Sequence, residues 1–189
     1  VCGMGRTGEW FGYQHFGIKP DIVTMAKGVA SGYAAISCCV TTEESFVDFK
    51  SDPDDPLNYF RDISTFGGCT AGPAAAIENM NILEEEDLLG NAARVGGYLM
   101  DQMRDLAAKH DAIGHVRGKG MFCGVELVSD RETKDPLPEH LVQAVVADCF
   151  KHNAVVIGAS NRSLPGFNNA LLFSPPLIAT RSDVDEIAS

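Results

Sequence analysis

The stretch from Pro20 to Tyr33 sets what the rest of the chain can be. Its short apolar run, Ile22-Val23-Thr24-Met25, has the pattern of a buried strand. The run ends at Ala26-Lys27, and small residues and glycines then take over. An ammonium group taken out of water costs free energy unless it is paired or neutralised, so a lysine directly after a buried strand is a constraint. Two readings satisfy it. Lys27 can snorkel, with its stem along the strand and its head in solvent. Alternatively it can work as an amine: desolvation lowers a lysine pKa, and the neutral form attacks a carbonyl to give a Schiff base. Gly28 and Gly32 would let the backbone turn sharply beside a bulky bound group.

The surroundings of Lys27 favour the second reading. Upstream stand Gly3-Met4-Gly5-Arg6-Thr7-Gly8 and Pro20-Asp21-Ile22. Downstream, Thr65-Phe66-Gly67-Gly68 precedes the alanine-rich Ala74-Ala75-Ala76. Gly-x-Gly-Arg-Thr-Gly, Pro-Asp-Ile, Ala-Lys-Gly and Thr-Tyr/Phe-x-Gly, in this order and spacing, resemble the class III aminotransferases. These are the omega-transaminase branch of the fold-type I enzymes that depend on pyridoxal 5'-phosphate (PLP). The likeness runs on through Val116-Arg117-Gly118 to Pro175-Pro176-Leu177-Ile178 and so covers nearly the whole chain.

This resemblance implies an α/β fold: part of a large mixed-sheet PLP-binding domain over residues 1–84, and a smaller α+β C-terminal domain over 85–189. It implies that Lys27 carries PLP as a Schiff base and acts as general base and acid in a ping-pong transamination. The donor would be an amine or omega-amino acid and the acceptor a keto acid such as pyruvate. Thr65 matches the family threonine that binds the cofactor phosphate of the neighbouring subunit, so a homodimer is expected. Thr70 departs from the proline usual there. Arg162 stands where related enzymes carry a carboxylate-binding arginine, and a guanidinium offers the bidentate donors such a group needs; a solvent-exposed loop arginine is the other reading. An aminomutase or decarboxylase on the same scaffold, or a chain without catalysis, are the alternatives. The resemblance also implies a fragment. The aspartate that pairs with the pyridine nitrogen would precede Val1, the last helix would be cut short, and the isolated piece is expected to be inactive.

Composition narrows the rest. With 189 residues, 45% hydrophobic, the chain suits one or two globular domains. A net charge of -11 argues against binding nucleic-acid phosphates, and the charge reads as a solvated acidic surface. No apolar run approaches a membrane span, and no leader is visible, so a cytoplasmic protein is expected. Six cysteines (Cys2, Cys38, Cys39, Cys69, Cys123 and Cys149) lack metal-site spacing and read as reduced, packed residues. The histidines are scattered, and no metal is assigned.

Further elements follow from periodicity. Residues 1–19 read as a glycine-rich loop, with Arg6 organising it and Trp10, Phe11, Tyr13 and Phe16 as core. Ala34 to Val40 reads as a central strand buried on both faces. Helices are expected over 42–49, over Ala74 to Glu85 with Ile77, Met80 and Leu83 on one side, and after Asp87 as cap, with Leu99, Met103 and Leu106 on one face. Ile113 to Val128 reads as a hairpin, Leu141 to His152 as a helix, and Val155 to Ile157 and Leu171 to Phe173 as strands. Ser182 is the expected N-cap of a final helix.

Overall fold

In a computed structural model, residues 1–50, 54–55, 57, 59–159 and 168–189 are described. The strands are β1 (Ile22–Met25), β2 (Cys38–Thr41), β3 (Ile113–Lys119), β4 (Phe122–Leu127), β5 (Gly158–Ala159) and β6 (Ala170–Phe173). The α-helices are α1 (Glu43–Phe46), α2 (Ala71–Glu85), α3 (Leu88–Lys109), α4 (Glu139–Asn153) and α5 (Arg181–Ala188). β1 and β2 form an antiparallel pair, with Val23 opposite Val40. The other four make an antiparallel sheet in the order β3-β4-β6-β5. Among the described residues, no helix is long and apolar enough to cross a membrane.

The apolar residues collect in two clusters. The first joins Met4, Val29 and Ala30 to Ala76, Leu83 and Leu88. The second is larger and lies between the four-stranded sheet and α3, α4 and α5, around the fully buried Leu99, Met121, Val142 and Val184. Helix α3 touches both: Leu88 belongs to the first, and Ala92, Val95, Leu99 and Met103 to the second. The expected face of Leu99, Met103 and Leu106 is the one that packs, because residues three and four apart stack along one side of a helix.

Close backbone approach fixes how the halves meet. The β3–β4 turn at Gly120 lies between the N-terminal loop and α3. A Cβ on Gly120, whose φ is +54°, would sit 2.5 Å from the Thr7 carbonyl carbon. A Cβ on Gly96 of α3 would sit 2.1 Å from the Gly120 carbonyl carbon. Only glycine at both positions allows the three backbones to stack.

Several expectations are corrected. Ala34 to Val40 is not a central strand buried on both faces. Its regular part is the short β2, which pairs with β1 alone and is largely exposed. β1 likewise leaves Ile22 61% exposed. Helix α2 begins at Ala71, earlier than Ala74, since Pro73 in the first turn needs no intrahelical N–H bond. Its buried stripe is Ala76, Met80 and Leu83, while Ile77 faces out, because Gly72 seats that end of the helix against Ala35 and Ile36. Asp87 precedes α3 but does not cap it: at φ +50° its carboxylate instead pairs with Arg94 at 2.9 Å. Val155 to Ile157 is not a strand. Ala154 ends α4 in the left-handed conformation, and the amides of Ala154 and Val155 turn back to the Cys149 carbonyl, the usual way of satisfying a helix C-terminus. The cap of α5 is Thr180, not Ser182: its hydroxyl accepts from the Asp183 amide, and the Asp183 carboxylate accepts from Thr180 in return. Phe16 is exposed, whereas Trp10 and Phe11 pack on the first cluster. Cys2, Cys39 and Cys69 are exposed, and only Cys123 is buried.

Candidate active site

Lys27 follows β1 after one extended residue, Ala26, and starts a 3-10 turn over Lys27–Val29. Its φ is +56°, in the left-handed region that L residues seldom occupy. Two devices hold that conformation. Val29 and Ala30 are buried at 2% and 0% exposure and anchor the turn in the first cluster. From α2, Asn79 donates through Nδ2 to the carbonyls of Gly28 at 2.9 Å and Val29 at 3.1 Å. Neither carbonyl belongs to a ladder, and the Gly28 carbonyl also accepts from the Ser31 amide at 3.4 Å, so the Asn79 amide adds to a local turn bond and ties it to α2. The sequence reading missed Asn79. The signal was available: an amide between Ala76, Met80 and Leu83 is polar on a stripe that is otherwise apolar.

The Lys27 side chain is exposed. Its ammonium has no hydrogen bond or ion pair among the described residues. It borders a cleft of about 2020 Å³ whose wall is shared by the N-terminal loop, β1, α2, the β3–β4 turn and residues 174–178. Clefts holding drug-sized ligands are typically about 300–1,000 Å³, so a cofactor and a substrate fit together. Three cationic side chains border the cleft (Arg6, Lys27 and Lys119) against two carboxylates, Asp62 and Glu78. This balance favours anionic occupants. Thr7, also on the wall, has a buried hydroxyl with no partner among the described residues.

Arg6 does more than organise its own loop. Half-buried and without an acidic partner among the described residues, it donates from Nη1 to the Met121 carbonyl at 3.3 Å and to the Pro175 carbonyl. Burial lowers its pKa from the usual value.

Of the other predicted site residues, Thr65 is the one among the described residues. Thr65 is exposed in a series of turns before α2 and is not on the cleft wall. In those turns the Ser64 amide and hydroxyl bond the Asp62 carboxylate at 3.0 and 2.6 Å, which holds that carboxyl below its ordinary range. Arg162 lies outside the described residues. Among the described residues, no group of three or more His, Cys, Asp or Glu side chains is placed to hold a metal.

A free lysine amine in a roomy cleft with a cationic rim fits PLP, an aldehyde with an anionic phosphate. Comparison with known proteins points the same way. The family model for class III aminotransferases matches residues 1–189. The taurine–pyruvate aminotransferase of Rhodobacter capsulatus is 65% identical over 99% of this chain, which spans about 40% of that relative's length. A Bacillus anthracis aminotransferase structure superposes with a TM-score of 0.92 at 37% identity, over all of this chain and 41% of the other. A PLP-bound amine transaminase from an uncultivated Pseudomonas species gives 0.80 at 29% identity, over 98% of this chain and 40% of the other. The chain belongs to the class III aminotransferases, a PLP-dependent family of fold-type I enzymes.

Proposed function

We propose that the protein containing this chain moves an amino group from a compact omega-amino acid, taurine or a close relative, to pyruvate. The observation that carries this reading is the Lys27 amine, without a partner among the described residues, on a turn whose next two carbonyls Asn79 holds, bordering a cleft with a cationic rim. The identity to taurine–pyruvate aminotransferases supports the choice of donor and acceptor. When bound, PLP supplies the electron sink that lets a C–H bond beside nitrogen break. Lys27 would hold the cofactor through its aldehyde and would be freed as an amine when the donor takes its place. Its Nζ then takes a proton from the amino-bearing carbon of the donor, and in the second half-reaction it delivers one to the former carbonyl carbon of the acceptor. The Asn79 clamp fixes the backbone turn from which that nitrogen reaches into the cleft.

Three further assignments belong to this reading. Thr65 anchors the cofactor phosphate of a second copy of the protein in a cytoplasmic homodimer; its exposure away from the Lys27 cleft supports this. Arg162 receives the acceptor carboxylate. Residues 1–84 belong to the larger domain and 85–189 to the smaller, a division supported by the two apolar clusters.

The test uses the full-length protein. It is mixed with PLP, reduced with borohydride and digested, and the modified peptide is identified by mass. An adduct on Lys27, together with alanine formed from taurine and pyruvate, is the expected result. An adduct on another lysine, or none, defeats the assignment of Lys27. An adduct on Lys27 with no alanine formed leaves the cofactor site standing and removes the proposed substrates.

A further inference from the structure

We propose that Arg6 and Asn91 are positioning residues that pin residues 174–179 as a fixed wall of the Lys27 cleft, and so decide which donors the cleft admits. The claim about donors rests on the function proposed above. The claim about pinning does not.

Residues 174–179 form an irregular link between β6 and α5. Such a link carries amides and carbonyls that no ladder satisfies, and by default it is mobile. Here it is held from two sides. Asn91, on α3, donates through Nδ2 to the Leu177 carbonyl at 2.7 Å and to the Ala179 carbonyl at 3.0 Å. Arg6, from the N-terminal loop, donates to the Pro175 carbonyl. Leu177 is wedged between the two apolar clusters and packs on both. The cleft side of the same link presents Ser174, Pro176 and Ile178 to the space beside Lys27, with Ile178 65% exposed.

The second acceptor of Arg6 gives the clamp its reach. Nη1 also bonds the Met121 carbonyl, and the Met121 amide returns a bond to the Arg6 carbonyl at 3.0 Å. One guanidinium therefore fastens the link to the β3–β4 turn, which carries Lys119 into the same cleft. A half-buried guanidinium with only carbonyl acceptors is a costly device compared with an apolar side chain. What it provides is simultaneous contact with three segments that are remote in sequence. A pocket wall made of an apolar residue and a hydroxyl, fixed in position, discriminates by shape, and one methylene is worth roughly 10–200-fold in such a site.

The experiment uses the full-length protein with PLP and the variants Arg6→Ala, Arg6→Lys and Asn91→Ala. Two readouts are taken. Hydrogen exchange of the 174–179 peptide, which needs no substrate, is expected to quicken in R6A and N91A. Steady-state kinetics with pyruvate then compare taurine with the bulkier 1-phenylethylamine. The expected outcome is a taurine KM raised ~10-fold with kcat within ~2-fold, and a preference for taurine over the bulky amine cut ~10-fold, with R6K in between. Lower melting temperatures with unchanged KM and unchanged preference would reduce both residues to scaffold and overturn the proposal. Unchanged exchange would overturn it whatever the activity. A wild type that exchanges slowly here, with fast-exchanging variants but no taurine–pyruvate turnover, would refute the proposed function and uphold the pinning.

Discussion

Gly96 and Gly97 are neighbours on α3, yet alanine should act on them with opposite signs. At Gly97 a Cβ meets nothing within 4 Å. An alanine there removes backbone freedom from the unfolded chain and gains helix propensity, about 0.8–1 kcal/mol. At Gly96 the same methyl group would lie 2.1 Å from the Gly120 carbonyl carbon and 2.3 Å from its oxygen. Ordinary contact begins near 3.4 Å, so something must move by the difference, 3.4 - 2.1 = 1.3 Å. The obstacle is backbone, which cannot rotate away as a side chain tip can. Gly120 is itself wedged against Thr7 and joined to Met121, so its displacement drags the N-terminal loop. Overpacking of this kind costs about 1–3 kcal/mol or more. Offset against the propensity gain, G96A should lose up to roughly 2 kcal/mol while G97A gains about 1. Thermal melting of the full-length protein reads both. G97A is expected to melt above the wild type and G96A below it. If G96A melts at or above the wild type, the three-backbone stack of Thr7, Gly120 and Gly96 is not how these segments meet.

Leu99→Ala, at 0% exposure in the larger cluster, should cost about 2–5 kcal/mol and be read as a lowered unfolding midpoint; a loss under ~1 would mean the site collapses around the hole. Thr180→Ala removes the α5 capping box and should cost about 0.5–2 kcal/mol in the same assay. Hydrogen bonds from the Thr180 amide and hydroxyl hold the Asp183 carboxyl below its usual 3.8. The contribution of that carboxylate is therefore complete above the ordinary value and disappears as pH falls through the lowered one, and acid unfolding of T180A should start at higher pH. Burial pushes the Cys123 thiol from 9.0 up to about 11. The unfolded chain then releases that proton first, so the stabilising effect is complete below pH 9 and lost as pH rises through 11. In timed alkylation, exposed Cys39 should be modified in the native protein and Cys123 only after unfolding.

What was legible in the sequence was whatever periodicity or a local motif encodes. The strand before Lys27, the long α3 with its Leu99–Met103–Leu106 face, and the hairpin of β3 and β4 could all be read from spacing. What escaped depends on partners distant in the chain. Asn79 holds the Lys27 turn from about fifty residues away, and Arg6 bonds carbonyls more than a hundred residues on. No local pattern announces either, because a carbonyl acceptor leaves no mark on the sequence. The buried strand at Ala34 to Val40 failed for a related reason: small apolar residues signal a place that can be covered, but not what covers it. The shift of the α2 stripe from Ile77 to Ala76 is a rotation about the axis set by one close contact at Gly72, which hydrophobicity alone does not register.

The turn that carries Lys27 has a stereochemical consequence. Its backbone conformation is fixed by two hydrogen bonds donated by the Asn79 amide and by the burial of Val29 and Ala30. A lysine whose backbone is fixed on one wall of the cleft would reach a flat partner bound there from that wall's side. On the proposed reaction, a proton handed to the former carbonyl carbon of pyruvate therefore always arrives on the same prochiral face, and every turnover yields alanine of one handedness. The enantiomeric purity of the product would thus depend on a side-chain amide on α2 whose hydrogen bonds go to the backbone beside Lys27.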